Sequence, residues 1–254
     1  MAANSKIEWT KHTWNPWIGC AKVSPACYHC YAEAMMDHRH HRASWGVGED
    51  RVRTGAATWN DPFRWDRAAA KGGRKDFVFC LSLGDIWDKE VDPLWRAQAF
   101  DVMRKTQNLI YLLLSKRIGN ARLMCDPAAT GHCLPENAAL GATMVNQKEW
   151  DRDMPKLKEA GRSLGALFTF ASVEPMLGPI NARADLPDWV ICGGESGPYA
   201  RPMPPDWALS LASQCQEANV AFFMKQMHID GKLVKDIDRF PEDLRVREFP
   251  NGNP

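Results

Sequence analysis

Six short apolar runs constrain the fold of this chain more than any other feature of its sequence. They are Phe77 to Ser82, Leu109 to Leu114, Leu140 to Val145, Leu167 to Ser172, Trp189 to Cys192 and Val220 to Met224. Their starts stand 32, 31, 27, 22 and 31 residues apart, about the length of one βα unit. Each run is continuous rather than alternating, as in strands buried on both faces. Helical patterns fill the gaps. One runs from Pro93 to Met103 with Asp92 as its N-cap, and another from Trp207 to Cys215 capped at Asp206. A strand near residues 12–18 raises the number of strand candidates to seven. Eight full units are not present, so the pattern predicts an α/β fold with a partial (β/α) barrel of about six or seven parallel strands. A doubly wound open sheet is the alternative.

The chain has 254 residues, enough for one large domain with a sizeable core. We read residues 1–254 as a single domain, with a basic, tryptophan-containing excursion at about 42–75. No apolar run approaches the length of a membrane span, and no apolar leader opens the chain, so a cytoplasmic protein is expected. A monomer is expected as well. The net charge of +1 does not advertise nucleic-acid binding and leaves a local basic patch open.

Eight cysteines are unevenly placed. Cys80, Cys125, Cys133, Cys192 and Cys215 are scattered, whereas Cys20, Cys27 and Cys30 follow the spacing C-x6-C-x2-C. A structural zinc wants four ligands, so His29 or a distant residue would have to join them. Ferredoxin spacing with four cysteines is absent. Three thiolates on one loop suit a four-iron cluster with one iron open to a cosubstrate. Packing by free thiols is the bland alternative.

Polar and glycine-rich motifs follow the apolar runs in phase. They are Ser82-Leu83-Gly84-Asp85, Ser115-Lys116-Arg117, Thr143 to Asn146, Ser172-Val173-Glu174-Pro175 and Gly193-Gly194-Glu195-Ser196-Gly197. In parallel α/β folds ligands bind at the carboxyl ends of the strands, so one face would gather them all. Ordinary βα turns favour the same residue types and remain the alternative for any one motif.

These segments together resemble the phage Gp37/Gp68-like family, which is related to radical S-adenosylmethionine (SAM) enzymes. The resemblance rests on Thr13-Trp14-Asn15-Pro16 through Cys20, on Cys27-Tyr28-His29-Cys30-Tyr31-Ala32 and on Ser172 to Ile180. It extends to Gly193 to Gly197 with Arg201, and to Phe222-Phe223-Met224-Lys225-Gln226. It spans roughly residues 7–250. The spacing before Cys27 is three residues longer than the commonest radical-enzyme pattern. The resemblance implies that Cys20, Cys27 and Cys30 hold a 4Fe-4S cluster whose fourth iron takes the amino and carboxylate groups of SAM. An external one-electron donor would then drive formation of a 5′-deoxyadenosyl radical. The protein's share is positioning and exclusion of water.

Within that picture Ser82 and Asp85 are expected at the methionine ammonium. Thr143 and Asn146 are expected at the ribose or carboxylate, with Ser172 and Glu174 beside them. Gly193 and Gly194 would let backbone approach the cosubstrate closely. Glu195, Arg201 and Lys225 are the candidates nearest the chemistry; a buried Lys225 paired with Glu195 is the alternative for that lysine. Buried structural ion pairs are the alternative for Glu174 and Glu195. The stretch 38–75 interleaves His38-Arg39-His40-His41-Arg42, Arg51, Arg53, Arg64, Arg67, Lys71, Arg74 and Lys75 with Trp45, Trp59, Phe63 and Trp65. Basic and aromatic residues together suit phosphates and stacked bases. The family's phage context implies DNA or a nucleotide-derived substrate, such as a hypermodified thymidine that the radical rearranges. A radical DNA-repair lyase and a zinc-stabilised DNA-binding protein are the other readings.

Overall fold

The structure, a computed structural model, describes residues 5–126, 131–182 and 185–250. Its centre is a sheet of seven parallel strands: β1 (His12–Trp14), β4 (Asp76–Cys80), β5 (Leu109–Ser115), β6 (Ala138–Thr143), β7 (Thr169–Val173), β8 (Trp189–Gly193) and β9 (Ala221–Ile229), neighbours in that order. β10 (Lys232–Val234) adds an antiparallel edge beside β9. β2 (Trp17–Ile18) and β3 (Val52–Arg53) form a separate two-stranded ribbon. Each of the six apolar runs supplies a strand, and β1 lies within the seventh expected stretch.

The sheet is curled, and the side chains show how strongly. Phe77 on β4 and Trp189 on β8 are four strands apart, roughly 19 Å in a flat sheet. Their ring centroids are 6.0 Å apart. The concave face carries Phe77, Phe79, Leu112, Phe168, Phe170, Trp189 and Phe223, which pack on one another across the barrel interior. Phe249 closes the lower end against Phe77, Trp189 and Phe223. Gly141 is required here, because a Cβ at this position would stand 2.3 Å from the Phe170 ring.

The convex face of the sheet packs against helices. These are α2 (Ala56–Lys71), α3 (Pro93–Arg104), α5 (Gln147–Leu164) and α6 (Pro205–Glu217), with the short α1 (Tyr31–Glu33) and α4 (Ala121–Met124) at the ends of loops. α1 runs on into a π-helical segment, Ala34–Arg39. The Asp92 cap is as expected, its side chain accepting from Leu94 N at 2.8 Å. Asp206 is not the cap of α6: the helix begins at Pro205, after Pro204, and Asp206 lies in its first turn. The 42–75 excursion contains the 16-residue helix α2, bounded by Gly55 and Gly72. Gly55 and Gly72 therefore mark the two ends of that helix.

Candidate active site

Along a strand the concave face repeats every two residues, so on β6, β7 and β9 one step upward from the floor reaches the polar mouth. Above the level of Phe170 and Phe223 the change is abrupt: Gly141 is followed by Thr143, Phe170 by Ser172, and Phe223 by Lys225. Thr143, Ser172 and Lys225 all line a cavity of about 530 Å³ at the carboxyl ends of the strands. Thr143 and Ser172 are register partners on β6 and β7. Thr143 is buried, and its Oγ1 finds no hydrogen-bond partner among the described residues. Lys225 reaches the cavity from a bulge: Cys192 pairs with Met224 and Gly193 with Gln226, leaving Lys225 as the extra residue on β9.

Cys20, Cys27 and Cys30 line the same cavity. The loop that carries them is tied down around its first cysteine. Gly19 N donates to Leu83 O at 3.0 Å, and Gly46 N donates to Cys20 O at 3.1 Å. Arg117 donates from Nη2 to Ala21 O at 2.8 Å and from Nη1 to Cys20 Sγ at 3.2 Å. Burial, reinforced by Asp85 and opposed by Arg117, pushes the Cys20 thiol up to about 11. Among the described residues, no three His, Cys, Asp or Glu side chains form a group that could hold a metal ion, so the three thiols share the cavity without converging.

Two acidic side chains answer basic ones around the cavity. Glu174 accepts from Lys225 and, at 3.3 Å, from Gln226 Nε2. Lys225 is thus paired, but with Glu174 rather than with the Glu195 that the alternative reading named. Glu195 instead accepts from Arg201 Nε at 2.9 Å and Arg201 N at 2.8 Å, and lies 3.0 Å from His29 Nδ1. Burial alone would raise the Glu195 carboxyl, but the Arg201 donors and His29 hold it down to about 2. Arg201 also donates to Pro25 O at 3.1 Å, joining the loop after β8 to the cysteine loop.

Of the residues expected at a cosubstrate, Ser82, Asp85, Thr143, Ser172, Glu174 and Glu195 line the cavity, while Asn146, Gly193, Gly194 and Arg201 do not. Asn146 is the N-cap of α5 and accepts from Glu149 N at 3.0 Å. The Asn-x-x-Glu spacing from Asn146 to Glu149 is a helix-start signal readable in the sequence. Gly193 and Gly194 face β9, where a Cβ would meet Gln226 and His228. Asp85 lines the cavity with both oxygens engaged: Oδ1 accepts from Trp87 N and Ser115 Oγ, and Oδ2 from Lys116 N and Arg117 Nη1.

Four arginines of the basic excursion have partners within the protein. Arg51 is buried, bonded to Asp88 at 2.9 Å and to Glu90. Arg53 stacks on Trp59 at 4.4 Å, Arg64 pairs with Asp61, and Arg74 pairs with Asp76. The segment braces the cysteine loop through β2 and β3. Sequence reasoning missed Arg117 as a contact of Cys20, because nothing local links residues 97 positions apart.

A family described as "Protein of unknown function (DUF5131)" matches residues 4–239. The chain belongs to this family. The match does not carry the phage Gp37/Gp68-like name. No curated protein matches the chain. Among solved structures, it is similar to a spore photoproduct lyase double mutant with bound AdoMet and dinucleoside spore photoproduct, at 10% identity and a TM-score of 0.47. That similarity covers 76% of this chain and 58% of the lyase chain. No helix among the described residues is long and apolar enough to cross a membrane.

Proposed function

We propose that the chain is a radical SAM enzyme, with Cys20, Cys27 and Cys30 as the protein ligands of a 4Fe-4S cluster and SAM bound in the strand-end cavity. The observation that carries this reading is the shared cavity: three thiols from one loop face strand-end polar groups that include the unpartnered Thr143 hydroxyl. The donor set fits a cluster with one open iron. One loop supplies three soft sulfur donors and no fourth cysteine, which leaves one iron of such a cluster open. Convergence of the thiols then accompanies metal binding, as folding and metal binding are coupled in other sites. When bound, the group supplies one-electron cleavage of SAM, fed by an external donor.

The chain's residues do the rest. Thr143 and Ser172 donate or accept at one side of SAM. The Glu174–Lys225 pair offers a carboxylate and an ammonium to a zwitterionic methionine moiety. The aromatic floor keeps water out from below. The substrate in this reading is a base in DNA, presented out of its stack, because a radical acts only on a hydrogen it nearly touches. Tyr28 on the cysteine loop and Tyr31 at the start of α1 are the exposed aromatic candidates for stacking such a base, and Lys116 supplies a cation at the cavity.

The test is anaerobic reconstitution with iron and sulfide, followed by assay for 5′-deoxyadenosine with single-stranded and duplex oligonucleotides. About four each of iron and sulfide per chain, together with SAM cleavage, support the reading. Stoichiometric zinc without SAM cleavage favours the zinc alternative.

A further inference from the structure

Arg117 stands out among the charged groups near the cavity because its partners include a sulfur. Its side chain is 11% exposed. Nη1 lies 3.2 Å from Cys20 Sγ and 3.2 Å from Asp85 Oδ2, while Nη2 donates to Ala21 O. Asp85 is itself fixed by Ser115 Oγ and by the backbone of Trp87 and Lys116, so the guanidinium is aimed by a saturated carboxylate. Among the described residues, Cys20 is the one cysteine of the three whose sulfur receives a side-chain hydrogen bond. Two bonds to Asp85 and Ala21 would suffice to anchor the loop. The contact with sulfur goes further.

We propose that Arg117 is a positioning residue that holds the Cys20 sulfur with a charge-assisted hydrogen bond and raises the reduction potential of the cluster, with Asp85 orienting it. This rests on the function proposed above. Reduction adds one electron from an external donor, such as dithionite, and no atom moves. The site becomes more negative by one charge, and a guanidinium that stays protonated at all working pH values favours that state. Hydrogen bonds to cluster sulfurs and local charge are established controls of such potentials.

The test compares reconstituted wild type, Arg117→Gln, Arg117→Lys and Asp85→Asn. It reads iron per chain, thermal midpoint and the potential from a dithionite titration followed by electron paramagnetic resonance. Arg117→Gln is expected to lower the reduced-to-oxidised ratio at fixed donor potential by about tenfold, or about 59 mV for one electron. Arg117→Lys should restore part of that shift, and Asp85→Asn should fall between it and wild type. A wild-type potential in Arg117→Gln overturns the proposal. So does loss of iron in Arg117→Gln and Arg117→Lys alike, which would make the residue a loop anchor only. If Arg117→Gln alone loses iron, Arg117→Lys decides: a potential below wild type supports the proposal and an equal one overturns it. A wild-type chain that takes up no iron refutes the proposed function before any variant is made.

Discussion

On β6, β7 and β9 the floor and the mouth of the barrel are built by the same strand and stand two residues apart. On β7, Phe170 packs with Phe168 and Trp189, while Ser172 opens onto the cavity. On β6, Gly141 makes room for the Phe170 ring, while Thr143 leaves a buried hydroxyl without a partner among the described residues. The floor gains stability from apolar burial and ring contacts. The mouth holds polar groups whose burial costs stability unless a ligand satisfies them. Stability and function are therefore separable by position on one strand, and substitutions at the two levels should fail in different ways.

The sharpest contrast is in metal uptake. Replacing Cys20, Cys27 or Cys30 by alanine should reduce iron per reconstituted chain to near zero while the thermal midpoint of the metal-free protein barely moves. Cys192→Ala, on the convex face, should keep its iron. Equal loss at Cys192 would end the ligand assignment.

At the floor the effect is on folding. Phe170→Ala or Trp189→Ala should lower the unfolding free energy by about 3–5 kcal/mol, read from denaturant midpoints. Gly141→Ala should cost about 1–3 kcal/mol, since its Cβ displaces the Phe170 ring. A neutral Gly141→Ala would show that the floor is loosely packed.

The mouth should respond in the opposite sense. Thr143→Val removes the unpartnered hydroxyl, so stability should be unchanged or raised, by at most about 1 kcal/mol. SAM affinity, measured by calorimetry on the reconstituted protein, should fall by about fivefold. Unchanged affinity would place the cosubstrate away from β6.

The smallest effect concerns acid. The Glu195 carboxyl is held down to about 2 in the folded protein, below its ordinary value of about 4.3. Its contribution to stability is present above that ordinary value and is lost as the pH falls towards 2. Glu195→Gln should flatten this part of the stability profile between about pH 5 and 2. An unchanged slope would assign the acid sensitivity to other carboxylates.

The strands were legible because burial on both faces leaves continuous apolar runs, and the spacing of those runs revealed the repeat. The antiparallel β10 lies outside that pattern, although Asp230-Gly231 between His228-Ile229 and Lys232-Leu233 is a hairpin-turn signal, and both turn residues have positive φ. Helix α2 was hidden by the glycines at its two ends. At the site, the phase of the motifs placed Ser82, Thr143, Ser172 and Glu174 on one cavity. Partner choice was not legible. That Lys225 meets Glu174, that Glu195 meets His29 and Arg201, and that Arg51 is buried against Asp88 depend on a β9 bulge and on loop paths that only tertiary packing sets.

The central claim is that a three-cysteine cluster presents an open iron to SAM in this cavity. Electron paramagnetic resonance of the reduced, reconstituted protein with and without SAM tests it most directly. The account predicts a cluster signal that changes when SAM is added, and that is lost in Cys27→Ala. A signal indifferent to SAM would contradict it.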